Sequence, residues 1–184
     1  MLNRDQALIL IKKYLQDKEN IKKAYAAEAI LKRMAEMLNK NEELWSLTGL
    51  LHNIDYEYTE GDPKERGNLS EKLLSNLLPK DGVNAIKADN YVHTDYVPVT
   101  SLDRVLIATV TFLGLFFYIK RNYPDKKTTD ITLPFFYNKF NDPNFGQRFN
   151  RNRIKIITNI GLSVEDFLKI SLDSLNEINK EIDF

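Results

Sequence analysis

An apolar run that ends in polar, ligand-type side chains is the feature that most constrains this chain. Residues 45–57 read WSLTGLLHNIDYE, in which the run around Gly49 leads directly into His52 and Asn53. This order predicts a helix packed in the interior whose last turn delivers polar side chains to a buried site. Glycine lowers helix stability relative to alanine, so we expect Gly49 to allow close approach of a neighbouring helix.

The composition is that of a soluble domain with a sizeable core, and it excludes several kinds of site. The chain has 184 residues, of which 43% are hydrophobic and 28% charged, and we expect one domain over residues 1–184. The 26 basic and 26 acidic residues cancel, which gives no overall attraction to nucleic acid or to an anionic membrane. The lack of cysteine excludes disulfides, thiolate catalysis and zinc–thiolate sites. Histidine occurs only twice, as His52 and His93.

The apolar segments predict a protein of the cytoplasm. Residues 8–11 are too few for the hydrophobic part of a signal peptide, and Asp5 precedes them. The most apolar stretch, Val105–Ile119, is shorter than the roughly 20 residues that a membrane span needs. We therefore expect this stretch to form a buried helix, and we expect no association with a membrane.

The rest of the chain shows helical periodicity without a convincing strand pattern, which predicts an all-α helical bundle. Lys23 is unusual because it shares the apolar stripe of the second helix, where an unpaired ammonium group is costly. Its side chain could still reach solvent near the helix end. We predict helices from Asn3 to about Asp17, Asn20 to about Leu38, Ser70 to Leu78, Gly82 to Tyr91, Thr100 or Ser101 to Arg121, 150 to 160, and 164 to 182 with Ser163 as N-cap.

The segment WSLTGLLHNIDYE resembles the signature helix of the HD-domain metal-dependent phosphohydrolases, which reads close to W-x-L-A-G-L-L-H-D-I-D-Y-E. Further segments resemble other parts of that family, namely IKKAYAAEAILKRMAEML, DPKERGNLSEKLL, AIKADN, LDRVLIATVTFLGLF, KFNDPNFGQRFNRNRI and GLSVEDF. The resemblance implies an HD-type helical bundle. Its metal-site core would lie at about residues 20–121, followed by a C-terminal helical extension at about 134–184.

The resemblance also implies that most of the family's metal ligands are replaced. The family holds one or two divalent metals between a first-helix His, the His-Asp pair, up to two further His and a distal Asp, and these metals activate a water molecule. At the corresponding positions this chain has Lys23, His52, Asn53, Arg66, Asp89 and Val110. Only His52 keeps the family's residue. Two positions have become cations, which repel a divalent metal.

We therefore expect a catalytically inactive relative, a pseudo-phosphohydrolase without a metal cofactor, that keeps a binding or regulatory role. Phosphate or a nucleotide is the expected ligand. An ion pair of Asp89 with Lys23 or Arg66 could fill the space that the metal occupied. Two alternatives remain open: an active metal-dependent phosphohydrolase with an unusual site, and a protein-interaction module with a closed pocket. The sequence identifies no protein partner.

Two weaker patterns allow other functions. His93 and Asp95 could join His52 and Asp89 in a relocated metal site, although such residues occur together easily by chance. The stretch PFFYNKFNDPNFGQRFNRNR interleaves aromatic and basic residues, as nucleic-acid-binding surfaces do. Aromatic residues at helical spacing more often form core, and the net charge is zero, so we expect no binding of nucleic acid.

Overall fold

A computed structural model describes residues 1–179, and these residues fold into helices joined by turns, without a β-strand. The predicted all-α class is confirmed. The α-helices are Arg4–Tyr14 (α1), Lys18–Met37 (α2), Glu42–Leu51 (α3), Asn68–Leu74 (α4), Lys80–Asp89 (α5), Ser101–Asn122 (α6), Leu133–Asn141 (α7), Asn152–Lys155 (α8) and Val164–Ile178 (α9). Short 3-10 helices occur at Pro63–Glu65, Thr128–Asp130 and Ile156–Ile160.

Helix α6 lies at the centre of the core and packs against α2, α5 and α8. Thr100 caps it through a reciprocal pair of hydrogen bonds with Asp103, and its interior includes the completely buried rings of Phe112 and Phe116. Within residues 1–179, α6 is also the one helix long and apolar enough to cross a membrane, and 78% of its most apolar window is buried inside the protein. The predicted buried helix is confirmed.

Helices α2 and α3 share the most extensive contact of any helix pair in residues 1–179, and Gly49 allows their backbones to approach. A Cβ atom built at Gly49 would lie 2.5 Å from the carbonyl oxygen of Ala27 in α2. Real Cβ atoms do not approach backbone so closely, so only glycine fits at this contact. The predicted role of Gly49 in close helix approach is confirmed.

The N-terminal helix boundaries differ slightly from those predicted. Asn3 caps α1 as expected, but α1 ends at Tyr14 instead of Asp17. Helix α2 is capped by Asp17 rather than by Asn20, because the Asp17 side chain accepts a hydrogen bond from the backbone N–H of Asn20 at 2.9 Å. Glu57 fixes this geometry by accepting hydrogen bonds from the backbone N–H groups of residues 16 and 17.

The C-terminal half contains a helix that the sequence did not reveal. Helix α7 begins after Thr132, whose side chain caps it, within the region expected only as a helical extension. The helix predicted at 150–160 is α-helical over four residues and continues as a 3-10 helix until Gly161, where φ is 81°. Ser163 caps α9 as predicted. The predicted end of α9 at residue 182 lies outside the described residues.

Candidate functional site

A cavity of about 290 Å³ lies between α2, the turn after α3, α6 and the segment that joins α7 to α8. Four of the six positions implied by the family resemblance line it, namely Lys23, His52, Arg66 and Val110. The other lining residues are Tyr56, Thr111, Leu113, Gly114, Arg148, Phe149, Asn150 and Arg153. The lining thus contains four cationic side chains and, among residues 1–179, no carboxylate.

His52 is a neutral hydrogen-bond acceptor in this cavity. It follows the last residue of α3, and its Nδ1 lies 2.7 Å from the carbonyl oxygen of Gly49. A carbonyl oxygen can only accept, so Nδ1 carries the proton and Nε2 carries a lone pair. Burial lowers the pKa of His52 to about 4, and the nearby charge of Lys23 acts in the same direction. The ring is therefore uncharged at neutral pH.

Asn53 does not reach the cavity lining, although it follows His52 directly. Its side chain is completely buried, and its amide nitrogen donates a hydrogen bond to the backbone carbonyl of Asn20 at 2.8 Å. The contact ties the turn after α3 to the first turn of α2. An aspartate at this position would place a carboxylate against a carbonyl oxygen, so the amide suits this structural role.

Asp55 is a buried carboxylate that is not among the six positions implied by the family resemblance. Its Oδ2 accepts hydrogen bonds from the backbone N–H groups of Gly67, at 2.8 Å, and Ser70, at 3.1 Å. These contacts hold the start of α4 against the turn after α3. They consequently fix the backbone next to Arg66. The polar cluster HNID was the sequence signal for this residue.

Arg66 reaches the cavity as a cation without a carboxylate partner among residues 1–179. Its guanidinium carbon lies 4.4 Å from the centroid of the Tyr56 ring, which is a cation–π contact. Its Nε is buried and makes no hydrogen bond. The terminal nitrogens of Arg66 also make no hydrogen bond within residues 1–179, and unlike Nε they are not buried.

The expected ion pair of Asp89 with Lys23 or Arg66 is wrong. The Asp89 carboxylate pairs instead with the guanidinium of Arg153 in α8, which also donates to the backbone carbonyl of Asp89 at 2.8 Å. Burial raises the pKa of Asp89, and the charge of Arg153 opposes that shift. The packing of α5 and α8 around α6 brings these two residues together, and Asp89 forms no ion pair with Arg66, although the charge of Arg66 also acts to lower its pKa.

Lys23 has an acidic partner on its own helix. Its ammonium nitrogen lies 2.7 Å from a carboxylate oxygen of Glu19, which also pairs with Arg121 of α6. The same nitrogen lies 5.5 Å from the centroid of the Phe117 ring. Lys23 thus remains half-buried at the cavity edge, and its charge is shared with one carboxylate that also serves Arg121.

A single arginine organises the segment that closes the cavity on its outer side. The guanidinium of Arg151 donates hydrogen bonds to the backbone carbonyls of five residues, Phe140, Asp142, Phe145, Gly146 and Phe149. This arrangement positions Arg148, whose guanidinium lies 4.8 Å from the centroid of the Phe149 ring. The dense arginines of RFNRNR were the only sequence signal for this part of the site.

The phenylalanine ring of that segment requires a glycine on the central helix. A Cβ atom built at Gly114 of α6 would lie 2.7 Å from Cε1 of Phe149. The ring therefore lies directly on the α6 backbone and forms part of the cavity wall. Phe136 and Phe140 are buried in the core, and Phe135 and Phe145 pack against it. The aromatic residues of this stretch are mainly core, as the helical spacing favoured.

The relocated metal site considered from the sequence does not assemble. His93 is exposed on the loop after α5, and the Asp95 carboxylate pairs with Lys87 at 2.6 Å. In the part of the chain that the structure describes, no group of three or more His, Cys, Asp or Glu side chains could hold a metal ion. The cavity does not fit a divalent metal either, because it offers one histidine nitrogen among four cations.

No protein-family model, curated protein or solved structure matches this chain significantly. The comparisons therefore attach no family, activity or partner to it. Any functional assignment depends on the chemistry of the cavity.

Proposed function

We propose that this protein is a metal-free, HD-type domain that binds a small phosphate-bearing ligand without hydrolysing it. The resemblance of several segments to the HD-domain phosphohydrolases supports the fold assignment. The observation that carries the function is the cavity lining, in which four cations and no carboxylate surround about 290 Å³. Such a lining attracts an anion.

The charge balance around the cavity favours an anionic ligand. Lys23 and Arg153 each have one carboxylate partner, whereas Arg66 and Arg148 have none among residues 1–179. Arginine can bind two phosphate oxygens at once through its planar group, and such charge-assisted hydrogen bonds are among the strongest in proteins. An oxyanion would bind the terminal nitrogens of the Arg66 guanidinium, whereas the Nε of this residue is buried out of its reach.

The volume of the cavity limits the size of the ligand. Ligand pockets usually measure about 300–1,000 Å³, so a cavity of about 290 Å³ lies at the lower end of that range. Inorganic phosphate or a small phosphate ester fits this space better than a long polyphosphate. A mononucleotide would place its phosphate among the cations and extend toward the outer side.

Binding without turnover is proposed because no group in the lining can activate water at neutral pH. A general base works best when its pKa is near the working pH, and burial lowers the pKa of His52 to about 4. Asp89 is close by, but its carboxylate is engaged by Arg153. The remaining polar lining residues are cations, amides or hydroxyls.

Titration calorimetry with phosphate and with a mononucleotide, at low salt and with a chelator present, tests this proposal. We expect saturable binding that weakens as salt screens the cations. Arg66→Ala should reduce affinity at least about tenfold, since it removes charge-assisted hydrogen bonds. Arg33→Ala is the matched control, because Arg33 pairs with Glu36 outside the cavity.

The proposal fails if neither anion binds or if Arg66→Ala leaves the affinity unchanged.

Elemental analysis after loading with manganese, iron, nickel or zinc tests the hydrolase alternative. About one equivalent retained through dialysis and lost in His52→Ala would favour a metal-dependent enzyme. One observation favours the alternative of a protein-interaction module. The loop after α5 exposes a group of apolar side chains, Tyr91, Val92, Val97 and Val99.

A further inference from the structure

We propose that the cavity selects oxyanions that carry a hydrogen, because His52 accepts a hydrogen bond from the ligand through Nε2. This inference rests on the proposed function and specifies the chemical class of the ligand. Hydrogen phosphate has the required hydroxyl group, whereas sulfate, of the same shape and charge, has none. The cavity should therefore bind phosphate and reject sulfate.

The geometry of His52 defines the acceptor. The Gly49 carbonyl, 2.7 Å away, fixes the proton on Nδ1, so the other ring nitrogen cannot donate. His52 lines the cavity, and Nε2 has no partner among residues 1–179. The ring is held in place from a second side by Tyr56, whose ring meets it edge-on with centroids 5.9 Å apart. The tautomer is therefore set by the fold.

A fixed acceptor distinguishes the two anions because their cation contacts are equivalent. Phosphate and sulfate can both accept hydrogen bonds from Arg66, Arg148 and Arg153. Only hydrogen phosphate can also donate to His52. Sulfate would place an oxygen lone pair against the Nε2 lone pair in a buried position, which leaves that acceptor unsatisfied and adds repulsion.

Phosphate esters provide a second, pH-dependent form of the same discrimination. Inorganic phosphate keeps at least one hydroxyl group throughout pH 6 to 8. A monoester such as methyl phosphate loses its last hydroxyl proton near pH 6, the second pKa of about 6 known for phosphoserine. Its affinity should therefore fall as pH rises through this range. An ester with a free sugar hydroxyl in reach of His52 would escape this loss.

Charged and titratable groups from several elements surround His52. Lys23 of α2, Arg66 before α4 and Arg153 of α8 line the cavity with it. Tyr56 remains neutral there, since burial raises its pKa well above the ordinary value. Burial raises the pKa of Asp89 of α5 as well. Sulfate does not titrate in this range, so its affinity reports any change in the protein itself.

The experiment is calorimetric titration of the intact protein with phosphate, sulfate and methyl phosphate at pH 5.5 and pH 8, at equal low ionic strength. At pH 8 we expect phosphate to bind at least about tenfold more tightly than sulfate or methyl phosphate. At pH 5.5 methyl phosphate should approach phosphate in affinity, and sulfate should remain weak.

Two variants assign the selectivity to His52. In His52→Phe the acceptor is absent, and phosphate affinity should fall to the level of sulfate. In His52→Gln the side-chain amide can either accept or donate, so sulfate should bind about as well as phosphate. Circular dichroism shows whether each variant is folded. If both variants unfold, the phosphate-to-sulfate ratio of the unaltered protein still tests the inference.

The possible outcomes separate this inference from the proposed function. Equal binding of phosphate and sulfate overturns the inference and leaves anion binding intact. Selectivity that persists in folded His52→Phe overturns the role of His52. If neither anion binds, the proposed function is wrong, and the inference falls with it. A ratio of about tenfold or more that both variants abolish supports the inference.

Discussion

The two walls of the cavity are held in place by different forces. The helical wall, formed by α2 and residues 52–56, depends on close helix packing and on buried backbone contacts. The loop wall, residues 142–153, depends on one guanidinium group that binds five backbone carbonyls. The helical wall presents a neutral acceptor with a fixed tautomer. The loop wall presents two cations, Arg148 on the segment that Arg151 holds and Arg153, which Asp89 holds.

This difference matters because the two walls would contribute different parts of ligand recognition. Packed helices tolerate little displacement, so in the proposed function His52 would discriminate between ligands of the same shape. A segment held by polar contacts opens more readily, so Arg148 can approach a ligand after it enters. Variants that weaken one wall while leaving the other intact should separate selectivity from affinity.

The largest effect is expected at the tightest contact of the helical wall. Gly49→Val would drive side-chain atoms into the backbone of Ala27, where even a Cβ would lie 2.5 Å from the carbonyl oxygen. Overpacking against backbone cannot relax easily, so the free energy of unfolding in urea should fall by more than about 3 kcal/mol. Gly61→Ala is the control, because no atom lies within 4 Å of a Cβ at that position. Equal stability of both variants would contradict the close-packed description.

Acid should weaken the helical wall through His52. The pKa of His52 falls from its ordinary 6.5 to about 4 on folding. The unfolded chain therefore binds the proton more readily, so this contribution to stability is complete above pH 6.5 and is lost as pH falls toward 4. The loss is on the order of 3 kcal/mol.

The measurement is the free energy of unfolding of the unaltered protein and of His52→Phe at pH 7 and pH 4.5. The difference between the two proteins isolates His52 from the carboxylates, which titrate in both. We expect the unaltered protein to lose more stability on acidification than the variant does. Parallel losses would show that His52 does not titrate in this range.

A smaller and more local effect is expected at the loop wall. Arg151→Met removes the donors to five backbone carbonyls, and leaving such groups unpaired costs about 1–3 kcal/mol. Hydrogen exchange should become faster at residues 142–150 and stay unchanged in α3. Lys155→Met, an exposed change in α8, is the control. Faster exchange in α3 as well would show that the two walls do not open independently.

Local chemistry made much of the fold predictable. The helix caps at Asn3, Thr100 and Ser163 were visible because a capping side chain bonds to a backbone group only three residues ahead. The buried helix α6 followed from its apolar composition. The close approach at Gly49 followed from a glycine inside a helical apolar run. Helix α7 escaped prediction because it is short and contains two asparagines, which favour caps and turns.

The sequence by itself therefore determined most of the helical segments, the caps of α1, α6 and α9, and which helix is central, since these depend on neighbouring residues. Only the tertiary structure decided the partner of the buried carboxylate Asp89. Asp89 pairs with Arg153, 64 residues away, because α5 and α8 both pack on α6. Because Asp89 pairs with Arg153, Arg66 has no ion-pair partner in the described chain. Pairing at such separation depends on how helices pack, and no local pattern encodes it.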